Sequence, residues 1–428
     1  MTREMKNSGI PWIGDVPKEW KKIRIKHIFE IIGGNGFKDK YQGKESGDYP
    51  FYKTSDINGD CDYVSTSSNY VDADVVDIEN YNIVPVSSIV VSKIGAAMRK
   101  NHRKITTCDC CIDNNLQALH PIRTIDDVKY LYYLLKVVNF EWFDNNGTIP
   151  SVNNAKLKDL YVPWVSLSEQ QRIAEFLDRK CAEVDEMIAL QEQIIEELKA
   201  YKQSVITEAV TKGLNPAAPM RDSGIEWIGQ IPEHWEVKRL KQESTFINGF
   251  AFDSEDFKID EGIKVIRIGD IGLQVDFENC VRATTDASLL LSYRIADGDI
   301  LIAMSGATTG KCCIVEKAEE AYINQRVGII RSDVRKLIYY SLLTPYFMEF
   351  VNLNNAGSAQ PNISSKAIGE FPIIIMPPTE QQSIADYLDD KCADIDSLIQ
   401  TKQSKIDSLK EYKKSIIYEY VTGKREVE

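Results

Sequence analysis

SEQQRIAEFLDRKCAEVDEMIALQEQIIEELKAYKQSVITEAVTK, Ser168–Lys212, decides how the chain is built. Apolar residues recur at Ile173, Leu177, Val184, Ile188, Ile195, Leu198, Val205 and Ala209, mostly in steps of three and four. That spacing lays one stripe along an α-helix, and its persistence is the pattern of a seam against a second helix. No proline interrupts it, Ser168 offers an N-cap, and Gly213 follows the last apolar turn. At 1.5 Å per residue such a helix is on the order of 65 Å long, and with one apolar stripe it needs a partner.

The partner is in the same chain. Thr379–Thr422 repeats the pattern: Glu169-Gln170-Gln171 returns as Glu380-Gln381-Gln382, an offset of 211 (380 − 169). Ile173 and Ile384, Leu177 and Leu388, Cys181 and Cys392, Asp185 and Asp396, and Tyr201 and Tyr412 stand in the same relation. Upstream of each helix a second match appears, SGIPWIGDVPKEW (Ser8–Trp20) against SGIEWIGQIPEHW (Ser223–Trp235). The chain is therefore one unit written twice, a globular part followed by a long helix. The second seam comprises Ile384, Leu388, Ile399, Lys402, Ile406 and Leu409. Gln191 and Lys402 are the polar positions of the two seams and share the 211 offset. Either they fix the register of an antiparallel pair near its midpoint, or both reach outward to water.

The globular parts read as mixed, mainly β modules, in which short β-type runs alternate with turn clusters. Between Tyr49 and Leu119 these are YPFYKTSDING, NIVPVSSIVVSKIGA and CIDNNLQALHP, with a short helix over Asp126–Val138. In the second half, GIKVIRIGDIG, GDILIAMSGATTGK and YINQRVGI answer them. Asp56-Ile57 then faces Asp270-Ile271, Gly95 faces Gly306, and Asn114-Asn115 faces Asn324-Gln325. Arg335–Leu353 matches the short helix, and GSAQPNIS matches GTIPSVN. Gly213–Asp222 is a proline-rich linker, and Trp12 and Trp20 are read as anchors of a domain edge. Close agreement of the helices, with agreement of the modules only at framework positions, points to modules that dock alike and bind different things.

Composition sets limits. With 428 residues, 43% of them hydrophobic, there is material for two or three domains, and no apolar run approaches membrane-spanning length. The N-terminus lacks an apolar leader segment, and nine cysteines with adjacent pairs (Cys110-Cys111, Cys312-Cys313) read as reduced thiols of a cytoplasmic protein. A net charge of −13 excludes indiscriminate coating of a polyanion but allows a nucleic-acid reader with a local basic face.

Lys93–Lys104 (KIGAAMRKNHRK) is the basic exception, with Lys93, Arg99, Lys100, Arg103 and Lys104. It reads as a phosphate-tracking patch or as a solvated loop. The matching part of the second half offers Ser305, Thr308, Thr309 and Lys311, small polar groups and one cation suited to phosphate or base edges. SGATTGK departs from a nucleotide-binding loop, since Ser305 replaces the first glycine and Cys312 the magnesium-holding hydroxyl. Cys108, Cys110 and Cys111 lack a second pair at zinc-ligand spacing. Pro377-Pro378 lacks the Asn or Asp and the aromatic residue of an amino-methyltransferase motif, and no catalytic set is visible.

SGIPWIGDVPKEW with SGIEWIGQIPEHW, SEQQRIAEFLDRKCAEVD with TEQQSIADYLDDKCADID, and the SGATTGK…YINQ segment make the chain resemble the specificity (S) subunits of type I restriction–modification systems. The first module departs from this pattern at Asn115 and lacks the GATTGK turn. The resemblance implies an α+β chain of two target-recognition domains joined by two long antiparallel coiled-coil helices with pseudo-twofold symmetry. Residues 1–165 and 223–376 would be the recognition domains, 166–212 and 377–425 the spacer helices, and 213–222 the linker. Each domain would read one half of an interrupted double-stranded DNA site, with Lys93, Arg99, Lys100, Arg103, Lys104 and Asn114 as candidates in the first. Ser305, Thr308, Thr309, Lys311, Asn324 and Gln325 are the candidates in the second. The helices would dock two methyltransferase subunits, restriction subunits would join, and S-adenosylmethionine, ATP and Mg²⁺ would belong to those partners, leaving none in this chain. Two other readings remain open: a scaffold that binds only proteins through its helices, and a stand-alone DNA-modifying enzyme.

Overall fold

The computed structural model describes residues 3–427 apart from 60, 124–125, 259–260 and 356–360. The Gly357–Gln360 part of the GSAQPNIS match lies outside the described residues. The chain divides into two compact units, residues 1–190 with 405–428 and residues 191–404. Each long helix is split between them. The first, Leu167–Lys212, passes from the first unit to the second at Gln191, and the second, Pro378–Val421, passes back at Lys405.

The helix limits agree with the periodicity to within a residue or two, but the N-cap does not. Ser166, not Ser168, stands at the start, its Oγ accepting from Glu169 N (3.4 Å) and its carbonyl from Gln170 N (2.9 Å). Leu167 is already helical, so Ser168 lies in the first turn.

In the first unit, Ile173, Leu177 and Cys181 of one helix share a core with Ile417, Tyr420 and Val421 of the other. Phe176 packs on Tyr420 with ring centroids 4.3 Å apart, and Lys413 Nζ meets Asp185 at 2.6 Å. In the second unit, Val205, Ala209 and Val210 pack with Ile384, Leu388 and Cys392, and Lys202 Nζ meets Asp396 at 2.7 Å. The two ion pairs are one pair made twice with the helices exchanged, since Asp396 and Lys413 lie 211 residues after Asp185 and Lys202. This is antiparallel packing in both units. Ile195, Ile406 and Leu409 are also buried, while Ile188, Leu198, Ile399, Gln191 and Lys402 are half-buried. Burying a leucine or isoleucine side chain contributes about 1.5–3 kcal/mol, which offsets the cost of ordering so long a rod.

Trp20 and Trp235, both buried, join helix to module. Trp20 Nε1 donates to Glu169 (3.3 Å) and Trp235 Nε1 to Glu380 (3.0 Å), so the repeated Glu of each EQQ triplet receives the repeated Trp. The end of the other helix arrives at the same place: a Cβ on Gly213 would press on the Trp235 ring, and one on Gly423 on Pro17 and Trp20.

The first unit's main sheet has strand order Phe29–Gly33, Leu116–Pro121, Ile89–Ser92, Arg103–Thr106 and Tyr63–Val64. A smaller sheet sets Tyr49–Tyr52 parallel to Cys111–Ile112 and antiparallel to Tyr70–Val71. The second unit repeats the plan with Thr245–Asn248, Val327–Arg331, Ile300–Ala303 and Cys312–Ile314, and with Ile263–Ile266 parallel to Ala321–Ile323. The fifth strand of the first main sheet has no counterpart among the described residues of the second. Both folds rest on strands buried on both faces, such as Ile89–Ser92 and Ile300–Ala303.

Candidate nucleic-acid interface

In each unit three chain segments meet at the end of the small parallel sheet, and backbone hydrogen bonds tie them together. In the first unit Asp113 N donates to Tyr52 O (3.0 Å), closing the sheet, and the chain then turns twice. Lys53–Asp56 is locked by Lys53 N to Asp56 Oδ2 (2.7 Å) and by Asp56 N to Lys53 O (2.9 Å). Asp113–Leu116 is locked by Asn115 N to Asp113 Oδ1 (2.7 Å) and by Leu116 N to Asp113 O (3.0 Å). The third segment follows Ile89–Ser92: Lys93 N donates to Asn115 O (2.9 Å) and Gly95 N to Pro150 O (2.8 Å).

The second unit makes the same bonds with other side chains. Asn324 N donates to Ile266 O (2.9 Å), Arg267 N to Asp270 Oδ2 (2.7 Å), Met304 N to Arg326 O (2.9 Å) and Gly306 N to Pro361 O (2.9 Å). Gly95 and Gly306 hold φ of +70° and +79°, a conformation that disfavours any side chain. Gly34 and Gly249 are needed for room, because a Cβ there would fall on the carbonyl oxygen of Asp113 or of Asn324.

This shared frame corrects one sequence match. Asn324 takes the place of Asp113, each in a parallel bridge to the first residue after its glycine (Asn35 and Phe250). Asn114 therefore faces Gln325, and Asn115 faces Arg326. Asn114, Gln325 and Arg326 are exposed, and Asn324 is half-buried.

The basic segment is not a loop. Gly95–Lys100 is a short helix closed by Asn101 at φ +58°, and Arg103–Thr106 is a strand. Arg99 and Lys100 are exposed on the helix, with Arg99 Nε 3.6 Å from Glu141, and Lys93 is half-buried at its base. Arg103 and Lys104 belong elsewhere, buried inside the sheet. Arg103 pairs with Val91 as Cys312 pairs with Ile302, so the arginine fills a core position. Its guanidinium donates to Val138 O (2.5 Å) and Asn101 Oδ1 (2.8 Å) and lies over the Phe140 ring. Burial pushes it down to about 9. These contacts give Arg103 a structural role, and burial removes both Arg103 and Lys104 from the candidate phosphate contacts.

In the second unit Gly306–Thr308 is a single 3₁₀ turn and the strand Cys312–Ile314 follows, so SGATTGK lacks the helix that a nucleotide-binding loop opens. Thr309 is buried, and its Oγ1 donates to Gly306 O (2.7 Å), holding the turn instead of facing outward. Ser305 and Thr308 are half-buried, and Lys311 is exposed. The frame also adds residues that sequence reasoning passed over. Lys53 and Arg267 occupy one corner, each three positions before the matched Asp56 or Asp270, and that spacing was the signal available. Arg267 is exposed, and Lys53 Nζ donates to Gln42 Oε1 (2.7 Å) above the Phe37 ring.

Among the described residues no three His, Cys, Asp or Glu side chains converge as a metal site, and no helix is long and apolar enough to cross a membrane. The face is built of turns carrying cations, amides and hydroxyls on a rigid hydrogen-bonded frame, chemistry that fits phosphates and base edges.

The type I restriction modification DNA specificity domain matches the chain twice, at residues 17–200 and 232–417. The MjaVIII specificity subunit of a type I restriction enzyme from Methanocaldococcus jannaschii is 25% identical over 426 residues, covering 96% of this chain and 93% of that protein. The EcoKI specificity subunit from Escherichia coli is 22% identical, covering 86% and 81%. A chain from a solved structure concerned with assembly and conformational transition of the type I R-M system shares the fold, with a TM-score of 0.69 and 15% identity over 96% of this chain and 99% of that one. With two copies of the specificity domain spanning most of its length, and each copy carrying the same frame, the chain belongs to the family of DNA specificity subunits of type I restriction–modification systems.

Proposed function

We propose that each unit reads one half of a bipartite double-stranded DNA site through the end of its small sheet, and that the paired helices set the distance between the half-sites. The observation that carries this is one backbone frame presenting two sets of side chains. Lys53, Asn114 and the Arg99–Lys100 helix stand in the first unit where Arg267, Gln325 and the Ser305–Lys311 turn stand in the second. Identical frames position; different side chains specify. With a net charge of −13, contact relies on these local cations rather than on the charge of the whole chain.

The helices dock two methyltransferase subunits, and restriction subunits join that assembly. Exposed apolar residues recur on the helices at the 211 offset: Met187 with Leu398, and Tyr201 with Tyr412. A patch displayed twice by one chain suits two copies of one partner. Methyl transfer and cleavage, with S-adenosylmethionine, ATP and Mg²⁺, belong to those cytoplasmic partners, and this chain is non-catalytic. Replacing residues 21–160 by the module of another family member tests the reading. Mapping methylated bases in cells carrying the hybrid should show one half-site changed and the other kept. A change in both halves, or methyl transfer by the purified chain alone, overturns it.

A further inference from the structure

The second unit has an open cleft of about 840 Å³ beside the strand Cys312–Ile314, bordered by that strand's end, the helix Arg335–Leu342, the second long helix, Lys202 of the first long helix and the Leu273-Gln274 turn. The first unit fills the corresponding place with its own chain. There Tyr63–Val64 runs parallel to Arg103–Thr106, and Ile105 N donates to Asp62 O (2.8 Å). The Asp62 carboxylate accepts from Tyr132 Oη (2.6 Å), Lys136 Nζ (3.0 Å) and Lys129 Nζ (3.1 Å). Tyr63 lies under Lys129, whose Nζ is 4.8 Å from the ring centroid, and Val64 is buried.

The second unit keeps most of the receptor and lacks the guest. Tyr133 bonds Asp178 as Tyr340 bonds Asp389, both at 2.6 Å, which aligns Lys129 with Lys336, Tyr132 with Tyr339 and Lys136 with Leu343. Lys336, Tyr339 and Leu343 all line the cleft. Ile314 takes the place of Ile105, pairing with Ile300 as Ile105 pairs with Ile89. Among the described residues the strand Cys312–Ile314 pairs with Ile300–Ala303 alone, so its outer side is a sheet edge. Lys336 bonds Asp389 as Lys129 bonds Asp178, and in the first unit that pairing leaves the ammonium able to donate to Asp62 as well. An unpaired edge beside such a cation and the Tyr339 hydroxyl is a template for strand addition.

We infer that this cleft binds an extended segment of a partner protein, added parallel to Cys312–Ile314 and carrying an acidic residue followed by an aromatic and a β-branched one. The acidic residue's carbonyl accepts from Ile314 N–H, and its carboxylate accepts from Tyr339 and Lys336. This docking is independent of DNA reading, because it uses none of the residues placed at the end of the small sheet.

The test uses the full chain and a fluorescent peptide of the Gly59–Thr66 sequence with Cys61→Ser, read by anisotropy. Saturable binding with half-saturation below about 1 mM is expected. Leu343→Lys, which recreates the third donor, should tighten it about tenfold. Tyr339→Phe and an Asp62→Asn peptide should each weaken it severalfold. No saturable binding at that concentration, or binding indifferent to all three changes, overturns the inference. So does self-association of the chain that the peptide blocks, which would make a second copy the occupant.

Discussion

Asp62 is gripped by three donors at once, and its ionisation is coupled to folding. Burial alone would raise its carboxyl, but Lys136, Tyr132 and Lys129 outweigh that and hold it down to about 2. For Lys136, burial, joined by the nearby Lys413 charge, lowers the ammonium despite the pull of Asp62. A carboxyl whose folded pKa lies below its unfolded value of about 4 contributes stability that is complete above pH 4 and lost as pH falls toward 2, here about 2 kcal/mol. Asp62→Asn should therefore lower the urea midpoint at pH 7 and flatten the acid dependence between pH 4 and 2. At the corner proposed to meet DNA, Arg267→Ala should weaken specific binding by the assembled complex and reduce its salt slope by about 1. A slope unchanged by the substitution removes Arg267 from the phosphate contacts. Residue roles were the least legible part of the sequence. Arg103 reads as a surface cation in KNHRK because its neighbours are charged. Only the strand register, which puts it opposite Val91, reveals a core position. Lys53 and Arg267 were passed over because a lone cation in a turn carries no pattern.

The long helices were the most legible element, since a three-and-four spacing kept up over more than forty residues has one physical solution. Their antiparallel sense is sealed by the twice-made ion pair. Asp185→Lys should cost about 0.5–1 kcal/mol, little because the carboxylate is half exposed, and adding Lys413→Asp should recover most of it. Equal losses in the single and double variants would show the pair to be idle. Removing one heptad from both helices, residues 192–198 and 403–409, keeps every remaining 211-offset match. It shortens the rod by about 10 Å, and the spacer read by the complex should shorten while both half-sites stay as they were. Removing it from one helix only should instead destabilise the chain. The turns were legible only in part. The alignment of Asn114-Asn115 with Asn324-Gln325 missed by one residue because identity was followed, whereas hydrogen bonding ties Asp113 to Asn324. The glycines that fix the frame show themselves through geometry: Gly34→Ala or Gly249→Ala should cost several kcal/mol through backbone collision, measurable by thermal unfolding.

At the scale of the molecule, duplication told most of the story: two repeated modules and two long helices. Repetition fixes shared scaffold but is silent where the copies diverge, so the fifth strand of the first sheet and the open edge in the second left no trace in the sequence. In the first unit the chain's two ends come together: Tyr418 Oη donates to Trp12 O (3.2 Å), Arg172 to Val427 O (2.6 Å), and Gly423 packs by Pro17 and Trp20. Gly213 makes the same approach to Trp235 in the middle of the polypeptide, where a peptide linker runs on. Backbone continuity at these two junctions is thus interchangeable: a circular permutant, with its old termini fused by a short flexible bridge and new ones cut at Asn215–Ala218, should fold and keep the sequence preference of its parent.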